Sequence, residues 1–91
     1  GLGDVYKRQT VQLLCDTSMT GVIIDRFGAG VAMRPYDDTH ILARAQVAVS
    51  PQFFGWLAGL STHIRVISPD SVVNEYQIFL QEILRSYTDM Q

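Results

Sequence analysis

Four arginines, Arg26, Arg34, Arg44 and Arg65, are the side chains in this sequence best suited to holding a ligand. A guanidinium is a planar fork of donors that meets phosphate or carboxylate at two points. Together the four could line a pocket for a phosphate-bearing effector or a nucleic-acid strand. Arg26 stands out within the run Asp25-Arg26-Phe27-Gly28. Adjacent residues on a helix do not face each other, so a partner for Arg26 must come from elsewhere. The competing reading is four solvated arginines, the ordinary fate of this residue.

Other chemistry is harder to build. His40 and His63 lie far apart and neither sits in a ligand-spaced pair. A metal site would need both histidines, Cys15 and a carboxylate to converge, and no spacing signature supports that. We expect neither metal nor cofactor. Asp37-Asp38 could serve as an acid/base pair, but neighbouring acids in a turn are usually solvated. Cys15 reads as a small buried hydrophobe. Gly28-Ala29-Gly30 falls at a helix end rather than between a strand and a helix start, so it reads as a turn and not a phosphate loop. No G-x-S-x-G elbow or Ser/His/Asp order occurs. The sequence therefore points to a binding module and not an enzyme.

Phe53, Phe54 and Trp56 are close in sequence but cannot all face one core. Phe53, Trp56, Leu57 and Leu60 share a helical stripe, which leaves Phe54 about 100° away. Aromatic rings are enriched at interfaces, so these three are interface candidates. A second buried face is the alternative.

The elements that position these residues alternate between strand and helix. Thr10–Cys15 reads as a strand, and the capping residues Asp16, Thr17 and Ser18 precede a helix with apolar positions Met19, Val22, Ile23 and Phe27. Gly28 falls where a helix-ending glycine belongs. Gly21 inside that helix costs roughly 1 kcal/mol against alanine, which points to close packing on the sheet. Val31–Pro35 and the alternating Ile41–Val49 read as a hairpin around Tyr36-Asp37-Asp38-Thr39. Ser50-Pro51 starts a second helix, and Ile64–Ile67 is a short strand. Ser68-Pro69-Asp70 starts a last helix with the stripe Val72, Val73, Tyr76, Phe79, Leu80, Ile83, Leu84 and Tyr87. The order predicts an α+β fold, a ferredoxin-like βαββαβ two-layer sandwich with an additional C-terminal helix. That last helix could cover the end of the sheet, its other face or a partner chain.

At 91 residues, 47% hydrophobic and 18% charged, the chain has room for one domain with a modest core. No apolar run is long enough for a membrane span, and no apolar segment follows Lys7-Arg8 to make a signal peptide. One cysteine excludes an internal disulfide, and a cytoplasmic location is expected. Residues 1–9 lack helical or strand periodicity and look like foreign read-through at the end of a gene fragment, so the domain is expected to be 10–91. Residues 10–91 carry five arginines against eight acids, a net charge of −3. That balance argues against tight, sequence-specific binding of duplex DNA.

Several runs resemble one family. Val11-Gln12-Leu13-Leu14-Cys15, Gly21–Gly28, Val47–Leu57 with its core Ser50-Pro51-Gln52-Phe53-Phe54-Gly55-Trp56-Leu57, and Val66-Ile67-Ser68-Pro69 are similar to the WCX domain. This is the C-terminal extension of bacterial WYL-domain transcriptional regulators. The resemblance covers nearly all of residues 10–91. It implies a winged helix-turn-helix and a WYL domain upstream in an intact protein. It also implies a role in sensing a nucleic-acid or small-molecule effector, and homodimer contacts. A free-standing small-molecule-binding domain of the ACT type shares the element order and remains an alternative. An acylphosphatase-like hydrolase would need an Arg in the first strand–helix loop and a nearby Asn. Residues 16–18 are Asp-Thr-Ser, and the one Asn is Asn74.

Overall fold

A computed structural model of the chain describes residues 6–89. The strands are β1 (Arg8–Asp16), β2 (Ala32–Pro35), β3 (His40–Ala48) and β4 (Ile64–Ser68). The α-helices are α1 (Thr20–Phe27), α2 (Pro51–Gly59) and α3 (Asp70–Thr88). The fold is α+β. The sheet order is β2-β3-β1-β4, and every neighbouring pair is antiparallel. It follows that β1 and β2, joined through α1, run parallel with β3 between them.

Period-2 alternation decides the two faces. Val11, Leu13 and Cys15 of β1, Ala43, Ala45 and Val47 of β3, and Ile64 and Val66 of β4 turn to one side. Ile23 of α1, Phe53, Phe54 and Leu57 of α2, and Val72 of α3 join them in one core. Ser50 caps α2 by accepting from the Phe53 N–H at 3.3 Å, with Pro51 in the first helical position.

Three expectations are corrected. β1 begins at Arg8, so Arg8 and Gln9 belong to the sheet, paired with Ala48 and Val47 of β3, and the Lys7 carbonyl accepts from Val49 N–H at 3.4 Å. A strand needs only backbone partners, and β3 is long enough to supply them whatever the side chains. Residues 1–5 lie outside the described part. The segment after Asp16 is a 3-10 turn, Thr17–Met19, before α1 opens at Thr20. Gly21 is exposed, and a Cβ built there meets nothing within 4 Å, so it marks no close approach. Gly28, by contrast, has φ +94° and ends α1 where a side chain would be strained.

α3 lies beside β4 and α2. Its Tyr76 and Phe79 rings sit 5.3 and 5.4 Å from the Phe54 ring.

Candidate ligand face of the sheet

The side of the sheet turned away from α1 and α2 carries three of the four arginines. Cross-strand partners share a face, so the register defines two rows. One runs Ala32, Arg44, Gln12, Ser68 across β2, β3, β1 and β4. The next runs Arg34, Leu42, Leu14, Arg65. Arg34 and Arg44 are diagonal neighbours on adjacent strands, a placement that brings long side chains within reach of one another. Arg65 is three strands from Arg34, roughly 14 Å by strand spacing, so it is on the same face without being part of the same cluster.

Leu42, buried at 7% exposure, stands apart from the inner core and makes the apolar floor of this face together with Leu14. A concavity of about 220 Å³ opens over it, lined by Gln12, Ala32, Met33, Arg34, Leu42 and Arg44. Drug-sized ligands fill cavities of roughly 300–1,000 Å³, so this one suits a smaller anionic group. Arg44 also borders a wider depression of about 510 Å³ that reaches Thr10, Phe27, Gly30 and Gln46. Among the described residues, no carboxylate lies within 4 Å of Arg34, Arg44 or Arg65. Among the described residues, then, no carboxylate occupies the fork of donors on any of the three.

Arg26 is not part of this arrangement. It sits on the helical layer, with its guanidinium 5.6 Å from the ring centres of both Phe27 and Trp56. That is cation–π packing, and it leaves Arg26 with a local partner that the sequence does not suggest.

A second polar cluster was not visible from spacing. Asp16 closes β1 and His40 opens β3, and the register makes them cross-strand partners. His40 Nε2 lies 3.5 Å from Asp16 Oδ1, and His63 Nδ1 lies 2.7 Å from Asp16 Oδ2. His40 Nδ1 meets Asp37 Oδ1 at 2.8 Å. The Thr39 backbone N–H donates to Asp37 at 2.9 Å. That N–H first, and His40 second, hold the Asp37 carboxyl below its ordinary value. Cys15 does not join the histidines. Its side chain faces the core, where burial, with the Asp16 charge adding, pushes the thiol up to about 11. Among the described residues, no group of three or more His, Cys, Asp and Glu side chains is placed to hold a metal ion. The register of β1 on β3 was the missing signal, because it alone sets Asp16 opposite His40.

The pattern of all these elements matches the family model of the WCX domain over residues 7–84. The chain belongs to the WCX family. The match starts within one residue of the first residue of β1 and runs well into α3. Comparison with the curated proteins finds no match.

In this WCX domain two of the three aromatic interface candidates, Phe53 and Phe54, are corrected to core residues. Phe53 is 1% exposed and Phe54 6%. Phe54 is covered by Tyr76 and Phe79 of its own α3, the second buried face that the helical spacing allows. Trp56 is half-buried, edge-on to Phe27 at 5.5 Å and under Arg26. The three rings have three surroundings, and that of Phe54 is made by α3 residues more than 20 positions further along the chain.

Proposed function

We propose that this WCX domain is the C-terminal effector-sensing and self-association module of a bacterial DNA-binding regulator of the WYL type, a binding domain and not an enzyme. In an intact regulator a winged helix-turn-helix, which would read the operator, and a WYL domain would precede it. The βαββαβ chain course and the β2-β3-β1-β4 order support the ferredoxin-like description of the fold.

One observation carries the sensing role. Arg34 and Arg44 flank an apolar floor with the Gln12 amide beside them, and no described carboxylate neutralises either. Two arginines with no carboxylate partner among the described residues, set around a small concavity, suit a phosphate-bearing ligand whose apolar part rests on Leu42 and Leu14. The ACT-type reading would place a ligand at the first strand–helix connection, which here is Thr17–Met19 and carries no charged side chain.

The test is calorimetric titration with inorganic pyrophosphate and, separately, with a short single-stranded oligonucleotide. Each hydrogen bond to a charged group contributes about 1.5–3 kcal/mol. Arg34→Gln with Arg44→Gln should therefore weaken binding by at least tenfold. Unchanged affinity in the double variant would contradict the assignment. Binding of the oligonucleotide but not pyrophosphate would identify a strand, not a free phosphate, as the source of the anion.

A further inference from the structure

The C-terminal half of α3 presents an apolar face that starts at Leu80, on the rim of a groove shared with α2 and β4, and runs on past the described body of the domain to Tyr87. Val72 is fully buried, and Val73, Tyr76 and Phe79 are half-buried against the core. The same stripe continues through Leu80, Ile83, Leu84 and Tyr87, which are 40, 44, 64 and 69% exposed. At about 100° per residue these four fall within an arc of roughly 100°. The helix therefore carries its buried face some two turns past the body that buries it.

Charge and spacing indicate what covers that face. From Tyr76 to Thr88 the charged side chains are Glu82 and Arg85. Both project about 150° from the centre of the stripe, on the side of Ile78. The flanks are neutral: Gln77, Gln81, Ser86 and Thr88. Burying the stripe strands no charge, and two copies of it bring no like charges together. A strongly acidic or basic partner would find nothing to pair with. The segment Leu80-Gln81-Glu82-Ile83-Leu84-Arg85-Ser86-Tyr87 also has the same apolar–polar pattern read from either end. About a two-fold axis between Ile83 and Leu84, Leu80 meets Tyr87 of the other copy and Ile83 meets Leu84. Such self-complementarity is what an isologous contact requires.

We infer that the C-terminal half of α3 pairs antiparallel with the same segment of a second copy of this chain. The inference rests on the self-association reading above and gives it a surface. Four half-exposed side chains per copy offer a few hundred Å², short of the roughly 800 Å² per partner of a standard interface. The pair is therefore weak on its own and strengthens when other contacts hold two chains together.

Sedimentation equilibrium of the intact 91-residue chain from about 5 to 500 μM tests this. The average mass of the wild type should rise towards that of a dimer. Leu84→Glu should stay monomeric throughout, a loss of at least tenfold in affinity. Ile78→Glu, at a comparably exposed position on the opposite face (54%), should associate like the wild type. Both substitutions sit at solvent-exposed positions, and circular dichroism of each should match the wild type. A wild type monomeric at every concentration would overturn both the self-association reading and this surface. A Leu84→Glu variant that still dimerises would keep self-association and overturn the surface alone. Oxidation with diamide supplies a second readout. Leu84→Cys should give a disulfide-linked dimer and Ile78→Cys should not, while Cys15, buried with its thiol pushed up to about 11, does not compete. Equal cross-linking of the two variants would contradict the pairing.

Discussion

His63 Nδ1 lies 2.7 Å from Asp16 Oδ2, a contact between residues 47 positions apart. It ties the end of β1 to the start of β4, and His40 on β3 approaches the other oxygen of the same carboxylate. One aspartate thus joins three strands at one end of the sheet. The side chains are partly exposed, so each contact is worth little alone. Asp16→Ala removes both acceptors and should cost about 1 kcal/mol, a drop of roughly 4–8 °C in Tm. His63→Ala should cost about half of that, and nothing further in the Asp16→Ala background. An additive double variant in thermal unfolding would show that the two residues act separately.

Asp37 is a more local case. The Thr39 N–H and His40 hold its folded pKa below the ordinary aspartate value. A depressed carboxyl contributes stability that is present above the unfolded pKa and lost as pH falls through the folded one. Carbon-13 titration of the Asp37 carboxyl should therefore give a midpoint lower than in the unfolded chain, and Asp37→Asn should flatten the acid limb of the stability curve. A midpoint equal to or above the unfolded value would remove this turn as a source of acid sensitivity.

Gly21 sits exposed in the first turn of α1, with open space where a Cβ would be. Gly21→Ala should raise stability by about 0.5 kcal/mol, because alanine loses less backbone entropy on folding. Chemical denaturation would read this as a higher midpoint at unchanged slope. A lower midpoint would contradict the open space around this position.

Phe54 has become a core residue. At 6% exposure and packed on Tyr76 and Phe79, Phe54→Ala should cost about 3–5 kcal/mol, a large part of the stability of a domain this small. Urea unfolding would measure it. A loss under 1 kcal/mol would place the ring outside the core.

The strands and helices were legible because their periodicities are strong: Ile41–Val49 keeps an apolar residue at every second position, and Ser50-Pro51 is an unambiguous helix start. What stayed hidden depends on distance along the chain. Which way Phe54 faces is settled by Tyr76 and Phe79, and those rings reach it only because α3 turns back along β4. Asp16 and His40 are unremarkable until β1 registers on β3. The four arginines were visible as residue types, but only strand register separates Arg34 and Arg44 from the more distant Arg65, and Arg26 departs because two aromatic rings hold it. The first two residues of β1 were missed because they pair through backbone atoms, which no side-chain pattern announces.

The sensing role rests on the arginine pair, and amide chemical-shift mapping tests it most directly. With inorganic pyrophosphate added at low salt, the account predicts that the largest shifts fall on Gln12, Met33, Arg34, Leu42 and Arg44, and disappear in the Arg34→Gln, Arg44→Gln double variant. Shifts centred instead on Arg26 and the helical layer, or no saturable shifts at all, would contradict it.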